Sequence, residues 1–347
     1  MMTLVKRGAA MILILLLAGC WSGDNGPVKT SSPPSVPPDI LLKSEIPVVP
    51  PPSKSYVLGF SQLGSESTWR EANTSSIVEA AEEAGISLMM RNAEQSQKKQ
   101  FEAIRFFIRN NVDVIAIAPV VQYGWEPILK EVKQAGIPVI ILDRSVNVKD
   151  SSLYVTFIGS DFYEEGVKAA KYMLDKMRHR TGTVKIAELQ GTVGSTPSID
   201  RGRGFRETIR AAPDFQVSLS QVADFTVAKG RKVMSQFLEL PREEWPQVLF
   251  SHNDDMAIGA VEAIEEAGLR PGEDLVIISI DGTRRAFEQM KEGKINAVVE
   301  CNPLLGPLLM QATNEIMAGR TLPKRMVPEE DIFTQEIASD EVEKRKY

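Results

Sequence analysis

The stretch "VDVIAIAPVVQYGWEPILKEVKQAGIPVIILD", residues 112–143, decides the fold class. Two apolar runs rich in β-branched residues, 112–119 and 138–142, flank an amphipathic stretch at 125–135 that ends at Gly136. The runs have the length and composition of buried strands, and the stretch between them has the period of a helix. A unit of strand, helix and strand is typical of a parallel sheet that helices cover on both faces.

The same alternation continues along most of the chain and restarts after residue 159. Further strands are predicted at 56–60, 86–91, 155–159, 184–190, 216–222, 247–251, 275–281 and 295–300, and further helices at 69–84, 95–110, 164–177, 199–211, 228–239, 256–267, 284–292 and 304–318. A length of 347 residues suits two domains. The pattern predicts an α/β protein with two doubly wound, Rossmann-like lobes of parallel strands.

Composition excludes several classes of function. The formal net charge is −6, whereas a nucleic-acid-binding protein normally carries a basic surface, so we expect no nucleic-acid partner. The chain has only two histidines, His179 and His252, and two cysteines, Cys20 and Cys301. These residues make up no known metal-ligand spacing, and we predict neither a metal site nor a cofactor.

The N-terminus has the pattern of a bacterial export signal. Lys6 and Arg7 precede the apolar run "AAMILILLLAG" at 9–19, which is too short to span a bilayer and ends in "LAGC". By its resemblance to a lipobox, we predict a signal peptide at 1–19 and a lipidated Cys20 that anchors the protein to an extracytoplasmic membrane surface. The alternative is an ordinary buried helix with an incidental cysteine.

Residues 20–54 are predicted to link that anchor to the folded part of the chain. Nine of the chain's 21 prolines lie within 21–54, including "SSPPSVPP" and "PVVPPP". Such a segment favours extended, solvated conformations and cannot form a core.

Polar side chains follow the predicted strands at the ends where ligands bind in open α/β sheets. They are Ser61, Glu66, Trp69, Arg70, Asp143, Arg144, Arg201, Asn253, Asp254, Asp281 and Glu300, and all of them except Asp254 make up the predicted site. Each has an individual structural explanation, such as an ion pair, a turn or a helix cap. Their joint placement at the strand ends of both halves instead indicates a binding site.

The chemistry of this set suits a sugar. Sugar hydroxyl groups both donate and accept hydrogen bonds, so carboxylates, arginines and asparagine complement them. Four acids, Glu66, Asp143, Asp281 and Glu300, nearly balance the three arginines. This balance favours a neutral polyol, whereas a phosphate or carboxylate ligand would favour an excess of positive charge. An aromatic face such as that of Trp69 could cover the apolar side of the ring.

Several motifs resemble those of the periplasmic sugar-binding proteins of the ribose-binding type, which serve ATP-driven (ABC) importers. They are "LDRSV" (142–146), "GSD" (159–161), "LQGTVGS…DR" (189–201), "HNDDMAIGA" (252–260) and "SIDGT" (279–283). The likeness spans roughly residues 55–335. Two further stretches, "GFSQLGSESTWREA" (59–72) and "APVVQYGWEPILKE" (118–131), resemble the galactofuranose-binding members.

This resemblance implies two lobes that close on a monosaccharide about a three-strand hinge, with chain crossings near 160, 300 and 328. The first lobe would be 55–159 with 301–328, and the second 160–300 with 329–347. The implied ligand contacts in the first lobe are Asp143 and Arg144, with Glu66 and Arg70 assisting and Trp69 covering the ring; in the second lobe they are Arg201, Asn253 and Asp281. Glu300 lies where relatives carry Gln or Glu. Two residues depart from the family pattern, Pro197 and Cys301.

The resemblance also implies partners, namely the sugar and the membrane permease of an ABC importer, and a monomeric protein. DNA-binding repressors share the core, but they carry a helix-turn-helix where this chain has its export signal. A second hypothesis keeps the fold and makes the protein a sensory receptor that presents sugar to a sensor kinase or chemoreceptor. An enzymatic role is not expected, because arginines beside Glu66 and Asp143 would keep both carboxylates ionised and leave no general acid.

Overall fold

The computed structural model describes residues 56–347, and the predicted signal peptide, Cys20 and the whole predicted linker lie outside the described residues. Within 56–347 the strands form two six-stranded sheets. The first contains β1 (Val57–Gln62), β2 (Ser87–Asn92), β3 (Val114–Ile117), β4 (Val139–Leu142), β5 (Thr156–Ile158) and β11 (Arg325–Met326), in the order β11-β5-β4-β3-β1-β2. The second contains β6 (Val184–Gln190), β7 (Phe215–Val222), β8 (Val248–Ser251), β9 (Val276–Asp281), β10 (Ala297–Glu300) and β12 (Ile332–Thr334), in the order β12-β10-β9-β8-β6-β7.

Helices connect the strands and cover both sheets. They are α1 (Thr68–Glu83), α2 (Gln97–Arg109), α3 (Glu126–Gln134), α4 (Phe162–Lys176), α5 (Thr196–Ile209), α6 (Val227–Leu238), α7 (Asp254–Glu266), α8 (Arg284–Lys291), α9 (Gly306–Met317) and α10 (Ala338–Glu341). Each sheet with its helices forms one lobe, so the predicted two-lobe α/β fold is confirmed. Within 56–347, no helix combines the length and the apolarity that crossing a bilayer requires.

The core of each lobe has a layer on either face of its sheet, as a doubly wound fold requires. In β3, Val114 and Ala116 face one layer, whereas Ile115 and Ile117 face the other together with Phe107. All four β3 residues are buried, which explains why the strand is a continuous apolar run rather than an alternating one. Each such side chain contributes roughly 1.5–3 kcal/mol when it is removed from water.

The structure departs from the predicted all-parallel pattern at the C-terminal end of the chain. Strand β12 pairs antiparallel with β10, and β11, β12 and α10 were not predicted. These three elements have only two to four residues each, which is too short for a periodic pattern to show in the sequence.

The chain passes between the two sheets three times. The first crossing (159–161) follows β5, the second crossing (301–305) follows β10, and the third crossing (327–331) follows β11. These segments lie beside one another, and Ser160 and Asn302 both bond to Glu330.

Candidate functional site

A cavity with about 300 Å³ of empty space, part of which is open to solvent, lies between the lobes at the carboxyl ends of the strands. Eight of the ten residues predicted for the site line it: Glu66, Trp69, Arg70, Asp143, Arg144, Arg201, Asn253 and Asp281. The chain therefore brings together side chains that are as far apart in sequence as residues 66 and 281.

Four charged side chains of the first lobe form one network. Arg70 Nη2 donates to Asp143 Oδ2 at 2.6 Å, and Arg70 Nε donates to Glu66 Oε1 at 3.3 Å. Arg144 Nη2 lies 3.4 Å from the same Glu66 oxygen, and Arg144 Nη1 donates to Val120 O at 3.0 Å. Two acids and two arginines thus balance each other's charge in a buried position.

Burial and mutual proximity shift the pKa values within this network. Burial and the neighbouring Arg70 lower the pKa of Arg144 to about 10. Burial alone would raise the pKa of Glu66, but Arg70 and Arg144 outweigh it and lower this pKa. Two buried atoms, Glu66 Oε2 and Arg144 Nε, have no protein partner for hydrogen bonding. One is an acceptor and the other a donor, so a hydroxyl-bearing ligand in the cavity could satisfy both.

The backbone at Asp143 is strained. Its φ is +62°, which few residues other than glycine adopt. Gly159 makes this conformation possible, because a Cβ at 159 would lie 2.6 Å from Asp143 O. Non-glycine residues in this region are frequent at functional sites.

The second lobe presents Arg201 from the second turn of α5. Its Nε donates to Glu165 Oε2 at 2.6 Å, its Nη1 donates to His252 O, and its Nη2 lies 3.6 Å from Asp281 Oδ1. Burial would lower the pKa of Arg201, but the adjacent Glu165 outweighs it and raises this pKa. Phe162 lies beneath the guanidinium, with 5.1 Å between the arginine Cζ and the ring centroid. Arg201 is therefore held from behind and faces the cavity with its remaining donor atoms.

Asp281 and Asn253 complete the second lobe's side of the cavity. The φ of Asp281 is +137°, and burial raises the pKa of its carboxyl well above the usual value. Asp254 fixes the turn after Asp281, because its carboxyl accepts from the backbone N–H groups of Gly282 and Thr283 at 2.9 and 2.8 Å. Asn253 caps α7 through Met256 N, which leaves part of its amide for a ligand.

Trp69 connects the cavity to the second crossing. Its Nε1 donates to Cys301 O at 2.6 Å, and the residue is 5% exposed. Arg70 Cζ lies 4.7 Å from the centroid of its ring. The side chain both lines the cavity and packs with Phe162 of the other lobe.

Two of the predicted site residues do not line the cavity. Ser61 is fully buried in β1, where its Oγ accepts from Gln100 Nε2 at 3.5 Å. Glu300 accepts from Arg345 Nη1 at 2.8 Å, so its carboxylate is directed to the C-terminal segment. Both residues belong to strands that lead to the cavity, but their side chains bond elsewhere.

Sequence reasoning did not assign five residues to the cavity: Ser67, Phe162, Pro197, Phe225 and Cys301. Phe225 lies 5.3 Å, ring centroid to Cζ, from Arg144 of the opposite lobe. It follows the carboxyl end of β7, a strand end at which no site residue was predicted. Pro197 and Cys301 were noticed only as departures from a family pattern.

Three contacts around the cavity join the lobes directly. Asp255 accepts from Thr68 N at 2.8 Å and from Thr68 Oγ1 at 3.0 Å. Thr196 Oγ1 accepts from Ser145 N at 3.1 Å, and Gly194 O accepts from Gln122 N at 2.9 Å. The structure is therefore a closed form, in which the lobes enclose the cavity.

Comparison with known proteins assigns the family. The periplasmic binding protein domain matches residues 58–321. The chain belongs to this family. It is 41% identical to the galactofuranose-binding protein YtfQ of Escherichia coli (strain K12), over 83% of this chain and 91% of that protein. The predicted resemblance to the galactofuranose-binding subgroup is thereby confirmed.

Two solved structures agree closely with this one. The binding protein of the arabinose ABC transporter of Shewanella sp. ANA-3, bound to α- and β-L-arabinofuranose, is 46% identical with a TM-score of 0.81, covering 84% of this chain and 95% of that one. A Mycobacterium smegmatis protein in complex with β-D-fucofuranose is 46% identical with a TM-score of 0.82, covering 84% and 96%. The family and its galactofuranose-binding member YtfQ are binding proteins, in agreement with the prediction that this chain is not an enzyme.

Proposed function

We propose that this protein captures a monosaccharide in its furanose form between its two lobes and delivers it to an ABC importer. The observation that carries the proposal is the cavity between the lobes, into which planar charged groups converge from both sides. Three acids, Glu66, Asp143 and Asp281, match three arginines in its lining. Such a balance suits a neutral ligand with many hydroxyl groups, each of which can donate to a carboxylate and accept from a guanidinium.

The furanose ring form is supported by the ligands named for the relatives. Galactofuranose, arabinofuranose and fucofuranose are all five-membered rings, and the three proteins concerned share 41–46% identity with this chain. The ligand would satisfy Glu66 Oε2 and Arg144 Nε, two buried atoms of cavity-lining residues that lack protein partners.

Binding would proceed by closure of the lobes. We retain the predicted lobe ranges, 55–159 with 301–328 and 160–300 with 329–347, and the crossings would form the hinge. Sugar favours the closed form because only there do both lobes contact it. A shift from mostly open to mostly closed takes about 5.5 kcal/mol of differential affinity. Several hydrogen bonds to charged groups, each contributing roughly 1.5–3 kcal/mol, can supply this difference.

We also propose that the mature protein is an extracytoplasmic lipoprotein and a monomer, anchored through Cys20. The supporting observation is the order of a positive region, an apolar run and "LAGC" at the N-terminus. Replacing Cys20 by Ala should abolish incorporation of labelled palmitate and release the protein from membranes. Labelling that survives Cys20→Ala would refute the anchor without affecting the binding proposal.

Calorimetry of the soluble domain tests the binding proposal. The protein from residue 53 onward is unfolded and refolded to remove carried-over ligand, then titrated with D-galactose, L-arabinose, D-fucose and D-ribose. We expect tight binding of at least one, and ¹³C NMR of the C1-labelled sugar then identifies the bound ring. A bound pyranose would refute the furanose assignment. If none of the four sugars bound, the choice of sugar class would be refuted.

Delivery is tested separately from binding. Reconstitution with the permease and ATPase encoded beside its gene should give sugar-dependent ATP hydrolysis. If the neighbouring genes instead encode a sensor kinase whose phosphorylation follows the sugar, the importer assignment fails and the receptor alternative replaces it.

A further inference from the structure

The three crossings between the lobes meet at the carboxyl group of Glu330. This residue belongs to the third crossing, and its Oε1 accepts from Ser160 Oγ of the first crossing at 2.6 Å. The same oxygen accepts from Asn302 N of the second crossing at 2.8 Å. Ser160 Oγ also lies 3.4 Å from Cys301 Sγ. One half-buried carboxyl group therefore joins all three segments of the hinge.

A second carboxyl group connects this position to the cavity. Glu165 is 1% exposed, and its Oε2 accepts from Nε of the cavity-lining Arg201 at 2.6 Å. Its other oxygen, Oε1, is buried and has no hydrogen-bond partner. One oxygen each of Glu165 and Glu330 and the sulfur of Cys301 lie within 4.8 Å of one another. We call Glu165, Glu330, Cys301 and Ser160 the hinge cluster.

A shared proton explains the hinge cluster better than a metal ion does. Glu165 is buried and Glu330 is half-buried, so the two carboxyl groups at this separation cannot both ionise without a cost, and one of them holds a proton. A divalent cation would need bonds of about 2.0–2.3 Å to these atoms. The Ser160 and Asn302 donors already occupy Glu330 Oε1, and the Arg201 cation already occupies Glu165 Oε2. Burial, followed by the proximity of Glu165, raises the pKa of Glu330 to about 8.

We propose that Glu165 and Glu330 are positioning residues for sugar binding: Glu165 fixes Arg201, and protonated Glu330 holds the three crossings in the closed arrangement. This inference rests on the proposed function. Other titratable or charged groups also surround the pair. They are Asp161 (the N-cap of α4), Glu164 and Lys168 of α4, Arg201 of α5, Asp281 and Glu300 of the second sheet, Cys301 of the second crossing, and Glu329 and Asp331 of the third crossing. Lys168 Nζ donates to the backbone oxygen of Glu330 and not to its carboxyl.

The sign of the pH dependence follows from linkage. Closure would bring Glu330 into the environment that raises its pKa, so closure takes up a proton. The closed form is then fully favoured below the open-form pKa, and this advantage is lost as pH rises towards about 8. The dissociation constant of the sugar should increase with pH, by at most about tenfold per unit for one proton, and should level off above pH 8.

Three variants test the proposal: Glu330→Gln, Glu165→Gln and the control Glu329→Gln. The control removes the same charge from an exposed neighbour of Glu330. Glutamine at 330 keeps the acceptor oxygen for Ser160 and Asn302 and mimics the protonated acid. Sugar affinity is measured by calorimetry from pH 5.5 to 9.5 in EDTA, and folding is verified by thermal unfolding at each pH.

We expect Glu330→Gln to bind with the low-pH affinity of the native protein and to lose its slope with pH, whereas Glu329→Gln keeps the slope. Glu165→Gln should weaken binding roughly tenfold at low pH, because Arg201 loses its charged partner, and should make the slope with pH shallower, because one of the causes that raise the pKa of Glu330 is gone. An unchanged slope in Glu330→Gln would overturn the proposal. So would a native affinity that EDTA lowers and added Zn²⁺ restores, since the hinge cluster would then hold a cation.

A sugar-independent measurement separates this inference from the proposed function. Carboxyl ¹³C NMR of glutamate-labelled protein, assigned by the loss of a signal in Glu330→Gln, reports the titration of Glu330 directly. The titration is recorded on protein locked in the closed form by a disulfide between Ser145→Cys and Thr196→Cys, two positions that bond to each other across the lobes, and we expect a midpoint above pH 7 there. If no sugar binds, the proposed function fails, and a Glu330 midpoint near pH 4.5 would overturn the shared proton whatever the sugar result.

Discussion

The two sides of the cavity arrange their charges in different ways. On the first lobe, Arg70 and Arg144 are paired with Glu66 and Asp143, and all four side chains line the cavity. On the second lobe, Arg201 is the one arginine in the lining, and its closest carboxylate, Glu165, lies behind it. The first side is thus a balanced network within the cavity wall, whereas the second is a single arginine fixed from outside it.

This difference affects how each side responds to pH and to substitution. Mutual attraction lowers the pKa of Glu66 in the first lobe, so its acid remains ionised. In the second lobe two acids, Asp281 and Glu165, surround the single arginine Arg201, and burial raises the pKa values of both acids. We infer that the first lobe provides a fixed pattern of donors and acceptors, and that the second lobe carries the protonation changes.

The largest difference between the two sides is expected when Arg201 of the second lobe and Arg144 of the first lobe are each replaced. Arg201→Ala leaves the Glu165 carboxylate buried without its partner, which we expect to cost about 3–5 kcal/mol of unfolding free energy and to abolish sugar binding. Arg144→Ala should cost less stability, about 1–2 kcal/mol, because it also removes the repulsion from Arg70 that helps to lower the pKa of Arg144. Chemical unfolding and calorimetry measure both quantities.

The exposed Arg203→Ala, on the same helix as Arg201, is the control and should change neither quantity. Equal stability losses in Arg201→Ala and Arg144→Ala would show that the two sides do not differ in the way described.

The next largest effect is expected from Asp143→Asn. Asparagine tolerates the positive φ of this position, so the backbone is retained while the charge that pairs with Arg70 is removed. Affinity should fall roughly hundredfold, about 3 kcal/mol, because two buried arginines then share one carboxylate. Asp150→Asn, which changes an exposed acid of the same lobe, should bind as the native protein does. Native affinity in Asp143→Asn would exclude Asp143 from the ligand contacts.

The balanced side of the cavity was also the easier one to predict from the sequence. Asp143 and Arg144 directly follow an apolar strand, and the rule that ligands bind at strand ends locates them. Glu165 lies within a helix, at a position whose chemistry depends on which helix packs against it, and no local pattern reveals that. Phe225 was missed for a related reason, since its contact with Arg144 exists only across the closed lobes.

Strand and helix assignments succeeded wherever an apolar run was long, and the strand at Val184–Gln190 has the predicted bounds. They failed for β12, whose three residues are half-buried and pair antiparallel at a sheet edge. Ser61 shows that the direction of a side chain is likewise hard to predict from the sequence. A strand-end position in sequence does not determine whether a hydroxyl faces the ligand or a neighbouring helix residue such as Gln100.

The loss of folding stability in acid provides a third test of the protonation changes assigned to the second lobe, and it does not depend on the ligand. Burial would raise the pKa of Glu188, but hydrogen bonds from His252 and others lower it to about 2. The folded-state pKa lies below the unfolded value, so the stabilisation is present above about pH 4.5 and is lost as pH falls towards 2. Glu188→Gln should therefore reduce stability by about 2–3 kcal/mol at neutral pH and flatten its decline in acid.

Burial also lowers the pKa of His252, so this residue favours unfolding in acid in the same direction. Thermal unfolding from pH 7 to pH 3 measures the effect of Glu188→Gln, with the exposed Glu244→Gln as control. A pH profile in Glu188→Gln that parallels the native one would mean that other groups dominate acid unfolding.

The smallest effect concerns a direct contact between the two sides, the pair Thr68 and Asp255. Thr68→Val removes the hydroxyl that donates to Asp255 Oδ1 but keeps the backbone donor to Oδ2, so roughly one hydrogen bond of the closed form is lost. This contact forms only on closure, and its loss should weaken sugar binding about fivefold, or about 1 kcal/mol, through the equilibrium between open and closed forms. Thr208→Val, whose hydroxyl bonds within its own helix, is the matched control. The sugar can leave only after the lobes open, and this contact holds them closed. We therefore expect the change mainly in the dissociation rate measured by stopped flow. A slower association with an unchanged dissociation rate would show instead that Thr68 guides the sugar into the open form.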